Sequence, residues 1–434
     1  MSNNNDKQAG ENGDGNMEVD EWNNETDNNE TIFDNSNEGE NKDVTETDEN
    51  KSSDKYVVEE FEKWDDMKLK KNVLRGIYSY GFEKPSPIQK KAIRPLADGK
   101  DIIAQAQSGT GKTGAFSVGT LQVVDETVNK TQAIILSPTR ELSRQIYDVL
   151  TSLSSISKTR TQLFVGGTAI DNDISQIRKA VPHVAVGCPG RVHDLLRRRH
   201  LIAKNVKLIV LDEADEMLST GFKEQVYNIF QQLSSEIQIG LFSATVPPDI
   251  NSLANKFMRD PVEILVKTET LTLEGITQFY VALEDDQLKY VTLKDLYGTI
   301  SLTQCIIYCN SIRRVSDLYD AMKEDGFPVC AIHSNLEKKE REQNYADFKS
   351  GKYRVLISSN VTARGIDIQQ VSTVINFDVP KDIHTYLHRI GRSGRWGRKG
   401  VGINFITRRD YRRIKEIEQY YQTEIKELPD TFKN

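Results

Sequence analysis

From Asp101 onward, short runs of consecutive apolar residues alternate with longer stretches of helical period. The runs Asp101–Ala104, Gln132–Leu136, Val184–Gly187, Leu208–Leu211 and Ile239–Phe242 are apolar nearly throughout. A strand apolar on both faces is buried on both, as in a parallel sheet covered by helices. Strand–helix alternation of this kind predicts an open α/β sheet. The alternation pauses at Lys267–Gly275 (KTETLTLEG) and then resumes. Ile276–Leu283, Cys305–Tyr308, Val329–Ile332, Val355–Ile357 and Val374–Asn376 read as strands, and Asp286–Tyr297, Ile312–Glu324, Lys338–Lys349 and Arg409–Tyr421 as helices. The pattern predicts two α/β domains, at 56–267 and 276–434, joined by a linker at 268–275. They share an architecture without an evident sequence repeat.

Residues 1–55 fit neither domain. They hold 17 acidic residues, 4 lysines and 13 asparagines, with few apolar positions. Such a segment buries too little surface to offset the entropy of ordering it. It is expected to be a disordered acidic tail, either merely solvating or competing with nucleic acid for the rest of the chain. The tail also changes the meaning of the overall charge. The 434 residues carry a net −7, but the tail holds −13 of it, which leaves +6 on the remainder. A polyanionic partner is therefore not excluded.

Cys188, Cys305, Cys309 and Cys330 are too scattered for a disulfide framework, and Cys305 and Cys309 lie in an apolar run that reads as core. No stretch approaches the ~18 consecutive apolar residues of a membrane span, and no signal-peptide pattern opens the chain. These features predict a soluble intracellular protein, cytoplasmic or nuclear, with no membrane partner.

The sharpest chemical signal is AQSGTGKT at Ala106–Thr113, between a predicted strand and a predicted helix. That context fits a phosphate-binding loop. The backbone N–H groups of Ser108, Gly109, Thr110 and Gly111 would wrap phosphate, Lys112 would reach the β- and γ-phosphates, and the Thr113 hydroxyl would ligate Mg²⁺. A hundred residues later, KLIVLDEAD (Lys207–Asp215) ends an apolar strand in carboxylates, where nucleotide sites lie in such sheets. Asp212 would hold Mg²⁺ and Glu213 would orient and deprotonate the attacking water. FSAT (Phe242–Thr245) ends another strand. Ser243 and Thr245 are candidates to hydrogen-bond the Asp212–Asp215 loop, although spacing alone favours a plain helix cap. Arg389, Arg392, Arg395 and Arg398 fall within ten residues, which by itself reads as a phosphate or RNA patch.

Together with GFEKPSPIQ (Gly81–Gln89), SPTREL (Ser137–Leu142), the Gly166–Gly167 pair, PGR (Pro189–Arg191), ARGID (Ala363–Asp367) and HRIGRSGR (His388–Arg395), these motifs go beyond a generic ATPase. The chain resembles the DEAD-box ATP-dependent RNA helicases, most closely the eukaryotic translation initiation factor 4A group, from about Trp64 to Pro429. The resemblance implies two tandem RecA-like domains that close on ATP and single-stranded RNA. It implies that Gln89 reads the adenine edge, which suits an amide able to donate and accept. By the same resemblance Phe82 and Trp396 pack on the base, Asp367 bridges to the ribose, and Arg392 and Arg395 reach the γ-phosphate from the second domain. Pro138, Thr139, Arg140, Gly166, Gly167, Gly190 and Arg191 match RNA-backbone contacts. Asp215, Ser243, Thr245 and His388 match residues coupling the two sites. The implied cofactors are ATP and Mg²⁺. The implied partners are single-stranded or short duplex RNA, held through its backbone, and regulatory proteins, with the chain itself a monomer.

The sequence departs from the family at several places. Trp64 stands for Phe, Trp396 for Tyr or Phe, Cys188 for the Thr before PGR, Ser334-Asn335 for Gly-Asp, Lys338 for Gln, and Asn360 for Asp. Most of these bear on RNA grip and interdomain coupling rather than on hydrolysis. The expected activity is ATP hydrolysis coupled to RNA binding and local duplex unwinding or remodelling, with translation initiation as one setting. An ATP-gated RNA clamp that unwinds little would use the same residues.

Overall fold

The computed structural model of the chain describes residues 56–106, 109–219, 221–265, 276–299, 304–360, 371–393 and 400–429. The predicted tail at 1–55 and linker at 268–275 lie outside them.

The apolar runs form strands, and the strands form two sheets. The first contains β1 (Ile102–Gln105), β2 (Ala133–Leu136), β3 (Thr161–Phe164), β4 (Val184–Gly187), β5 (Leu208–Asp212), β6 (Gln238–Ser243) and β7 (Val262–Leu265), in the spatial order β3-β4-β2-β5-β6-β1-β7. Around it lie α1 (Lys71–Ser79), α2 (Pro87–Ala97), α3 (Lys112–Val123), α4 (Arg140–Leu153), α5 (Ile170–Lys179), α6 (Pro189–Arg197), α7 (Ala214–Ser219), α8 (Lys223–Phe230) and α9 (Pro248–Phe257). The second sheet has β8 (Ile276–Ala282), β9 (Cys305–Tyr308), β10 (Val329–Ile332), β11 (Val355–Ser358), β12 (Thr373–Asn376), β13 (Gly400–Ile406) and β14 (Lys426–Glu427), ordered β10-β11-β9-β12-β13-β8-β14. Its helices are α10 (Leu288–Thr299), α11 (Ile312–Glu324), α12 (Lys338–Lys349), α13 (Ile383–Ile390) and α14 (Tyr411–Tyr421).

Counted from its own first strand, each sheet has the order 3-4-2-5-6-1-7, and every described pairing is parallel. The absence of a sequence repeat thus conceals a repeat of topology. The two halves are tandem RecA-like domains.

Both faces of each central strand are buried because successive side chains point to opposite sides. In the first sheet, Ile135, Val186 and Val210 enter one apolar core, and Ile134, Ala185 and Ile209 the other. In the second, Ile306, Leu356 and Val374 alternate in the same way with Ile307, Ile357 and Ile375. Each of the valines, leucines and isoleucines among them contributes roughly 1.5–3 kcal/mol on burial. The four cysteines are free thiols; Cys305 and Cys309 are buried, as the core reading expected, and so is Cys330.

The strands absent from the sequence reading are instructive. β3 (TQLF) and β7 (VEIL) are edge strands covered on one face only, so they alternate instead of running apolar. β13 opens GVG. A Cβ on Gly402 would sit 3.3 Å from the Ile390 Cγ2 of α13, a tight contact that marks how closely the helix and strand approach. That packing brings α13, also absent from the sequence reading, flat against the sheet.

Topology then positions the chemistry. In a parallel sheet all carboxyl ends lie on one edge. Because β5, β6 and β1 are neighbours, the loops after them, carrying DEAD, SAT and the phosphate-loop motif, meet without any long-range accident.

Candidate active site and nucleic-acid groove

The glycine-rich loop after β1 turns on left-handed glycines, Gly109 at φ 85° and Gly111 at φ 100°, and Gly111 caps α3. It packs tightly on the start of α2. The Gln89 Oε1 accepts from the Ser86 N–H at 2.8 Å, and its Nε2 donates to the Gly111 carbonyl at 3.2 Å. A Cβ on Gly111 would lie 2.6 Å from Ser86 Oγ, and one on Gly114 would lie 2.5 Å from Gln89 Nε2. Glycine is the side chain that lets these segments meet. Gln89 thus spends one donor and one acceptor site on backbone and keeps one of each. Phe82 stacks on buried Trp64, with ring centroids 6.0 Å apart and planes at 16°, and Tyr80 meets Phe82 edge-on at 4.7 Å.

Lys112 is buried. Its Nζ donates to the Ala106 carbonyl at 2.9 Å and lies 3.7 Å from Glu213 Oε1. Asp212 ends β5 buried, and its Oδ1 accepts from the Glu213 N–H at 3.1 Å. Burial and the adjacent Glu213 carboxylate hold Asp212 above the usual carboxylate range, while Lys112 acts against them. Glu213 has φ 53°, a conformation a non-glycine residue rarely adopts, and the strain turns the chain sharply after the strand.

The SAT segment is not a helix cap. The next helix, α9, begins at Pro248 behind Pro247. Thr245 Oγ1 instead donates to Asp215 Oδ2 at 2.7 Å, and Ser243 Oγ accepts from the Asp215 N–H at 3.4 Å. The same Asp215 oxygen lies 3.2 Å from His388 Nε2, across from the second domain. Glu213, Asp215 and His388 bring one ligating atom each within 4.8 Å of one another. One turn further along, Arg392 is buried and its Nε donates to the His388 carbonyl at 3.2 Å. Lys112, Glu213, Asp215 and His388 thus lie close together, with Arg392 held on the His388 carbonyl behind them. Ser108, Asp367, Arg395 and Trp396 lie outside the described residues.

This cluster fits the groups expected of it. The close-packed glycines form a cradle that a Cβ would fill, and adjacent buried carboxylates facing a lysine suit a phosphate and a divalent cation. Thr113, at the start of α3, is the neighbouring hydroxyl.

A second cavity, of 480 Å³, opens between the halves. Pro138, Thr139, Arg140, Gly166, Gly190 and Arg191 line it from the first domain, and Ser334 and Arg341 from the second. Several of these residues also have structural tasks. Thr139 Oγ1 caps α4 through the Leu142 N–H at 3.2 Å. The Arg140 guanidinium fills the space beside Gly166 and Gly167, where a Cβ on Gly167 would lie 2.5 Å from its Nη1. Arg191 pairs with Asp173 and donates to the Thr168 carbonyl at 2.6 Å. Cys188 also lines the groove. Burial pushes its thiol up to about 11, so it stays neutral there.

The sequence reading did not single out Glu141 and Arg341, which form a second link between the domains at 2.5 Å. Glu141 lay inside the quoted SPTREL motif and Arg341 one turn beyond Lys338, but no sequence signal pairs residues 200 apart.

Comparison with known proteins agrees with this geometry. Residues 86–253 match the DEAD/DEAH box helicase family, and 288–397 match the helicase conserved C-terminal domain. The chain is 51% identical over 371 residues to the ATP-dependent RNA helicase eIF4A of Chaetomium globosum, covering 86% of this chain and 93% of that one. It is 50% identical over 366 residues to the ATP-dependent RNA helicase FAL1 of Mycosarcoma maydis, covering 84% and 92%. Among solved structures, S. cerevisiae Dbp5 bound to RNA and ADP BeF3 superposes with a TM-score of 0.80 at 36% identity, over 85% of this chain and 96% of that one. On motifs, paired sheets and relatives alike, the chain belongs to the DEAD/DEAH box helicase family.

Proposed function

We propose that this protein is an ATP-dependent RNA helicase in which hydrolysis requires the two domains to close together on ATP and RNA. The observation that carries the reading is the row of close polar contacts from the phosphate loop through Glu213 and Asp215 to His388 of α13. Lys112 lies beside Glu213 on one domain, and His388 reaches Asp215 from the other while its carbonyl anchors Arg392. Hydrolysis split across a cleft depends on closure, and a guanidinium supplied across it stabilises the charge that spreads over the transferring phosphoryl group.

In this reading Gln89 and Phe82 receive the adenine, and the loop from Ser108 to Thr113 receives the phosphates. Thr113 and Asp212 hold Mg²⁺, which supplies charge neutralisation when bound. Glu213 orients the water and takes its proton. Asp367, Arg395 and Trp396 complete the nucleotide contacts. Ser243, Thr245, Asp215 and His388 relay closure. The cavity lined by Arg140, Gly166, Gly190, Arg191, Pro138 and Thr139, with Gly167 beside Arg140, receives RNA phosphate and ribose, so binding is largely independent of sequence. The division at 56–267 and 276–434, with 268–275 as linker, is supported by the two sheets, whose strands end at Leu265 and restart at Ile276. The active unit is a monomer to which regulatory proteins attach.

The test is a Glu213→Gln chain assayed for ATP hydrolysis, RNA binding and release of a strand from a short duplex. It should bind ATP and RNA while hydrolysis falls by at least 10²-fold, on the scale of a lost general base. Full turnover by the variant would overturn the assignment of Glu213. Wild-type hydrolysis with long-lived RNA complexes and no strand release would identify a clamp instead.

A further inference from the structure

We propose that RNA leaving the central groove continues along a second, cation-bearing groove over the edge strand β3, reached past Arg144 and Lys338. The proposal rests on the RNA reading of the central groove. That groove shares Arg140 and Arg341 with a 270 Å³ cavity between α4 and α12, which in turn shares Arg144 and Lys338 with a 660 Å³ groove along β3. The three cavities are therefore contiguous through Arg140, Arg144 and Lys338, while in the middle one Glu141 is paired with Arg341 and Glu342 stands 3.9 Å from Lys338.

The third groove has the chemistry of a phosphate backbone site. Its cations are Arg144, Arg160 and Lys338. Its one carboxylate, Asp173, is already paired with Arg191. Arg144 is exposed, and among the described residues Lys338 pairs with Glu342 at the long distance of 3.9 Å on its own helix. Neither charge is held in a close carboxylate pair, so each can meet a phosphate at little cost. Arg160 is fixed, with Nε donating to the Val181 carbonyl at 2.9 Å. Half-buried Tyr147 offers a ring on which a base can stack. The rest of the lining is mainly hydroxyls and amides, suited to ribose and phosphate. An amphipathic helix would need an apolar stripe instead.

The test measures binding of single-stranded RNAs of about six and about twenty nucleotides, lengths on either side of one ordinary binding site. Both are titrated across salt with the wild type and with an Arg144→Ala, Lys338→Gln double variant. The long strand should bind the wild type more tightly than the short one. The double variant should lose about tenfold of that advantage at low salt, and its log–log salt slope should fall by about 1.4, or ~0.7 per lost phosphate contact. Short-strand binding and ATP hydrolysis without RNA should not change, which also shows that the variant folds. An unchanged long-strand slope with intact short-strand binding would overturn the second groove and leave the central one standing. Failure of the wild type to bind either strand would instead overturn the RNA reading on which the proposal rests. An unchanged RNA slope together with loss of binding to a protein would assign the groove to a peptide and overturn the RNA path.

Discussion

Arg389 illustrates what a single residue can reveal and conceal. Its motif spelled an RNA or phosphate patch, yet its side chain is wholly buried. Its Nε and Nη2 donate to Asn360 Oδ1 at 2.9 and 2.6 Å, Nη2 also to Asn310 Oδ1 at 2.8 Å, and Nη1 to the Asp378 carbonyl at 2.8 Å. It also lies 5.2 Å over the Tyr308 ring. Every one of these acceptors is neutral, and burial pulls the guanidinium pKa down to about 10. Because Asn360 is exposed, a carboxylate placed there would meet the cation with little desolvation. Asn360→Asp should raise stability by about 1 kcal/mol through a charge-assisted pair. Equilibrium denaturation reads this directly, and an equal or lower midpoint would mean that the neutral amide network is already optimal. The sequence singled out Asn360 as a departure, but only the fold shows that it faces Arg389. The same holds for Thr245, whose spacing suggested a cap and whose hydroxyl serves Asp215.

Among elements, most central strands were legible because burial on both faces writes an unbroken apolar run, but β13 was not, since its run is broken by Gly400, Gly402 and Asn404. The edges β3 and β7, buried on one face, were not. The contact of α2 with α3 was equally hidden, since no local pattern says that Gly114 must pass beneath Gln89 and Phe82. That contact yields a prediction at its own scale. Gly114→Ala would place a Cβ 2.5 Å from Gln89 Nε2 and 3.1 Å from Phe82 Cε2. Overpacking of this kind costs about 1–3 kcal/mol. The Gln89 bond to Gly111 would break first, so the KM for ATP should rise about tenfold with a smaller change in kcat. Steady-state kinetics at saturating RNA checks this. An unchanged KM would remove Gln89 and Phe82 from the nucleotide site.

For the whole molecule, the two-domain plan was readable from alternation, and the chemistry from motifs. The identical strand order of the two sheets was not, because topology is conserved through which faces are buried rather than through letters. Nor were the cross-domain pairs Asp215–His388 and Glu141–Arg341, which depend on closure. Charge misleads in the same way at this scale. A net of −7 conceals a body of +6, on which the proposed RNA surface lies. In the proposed reading, the two cross-domain pairs, one beside the phosphate loop and one beside the proposed RNA groove, put RNA binding and hydrolysis under a single closure. The most direct test is the steady-state rate of ATP hydrolysis by the full chain with and without single-stranded RNA. The rate should be low alone and rise at least tenfold at saturating RNA, the equivalent of about 1.4 kcal/mol off the barrier. A rate that is the same with and without RNA would contradict the account.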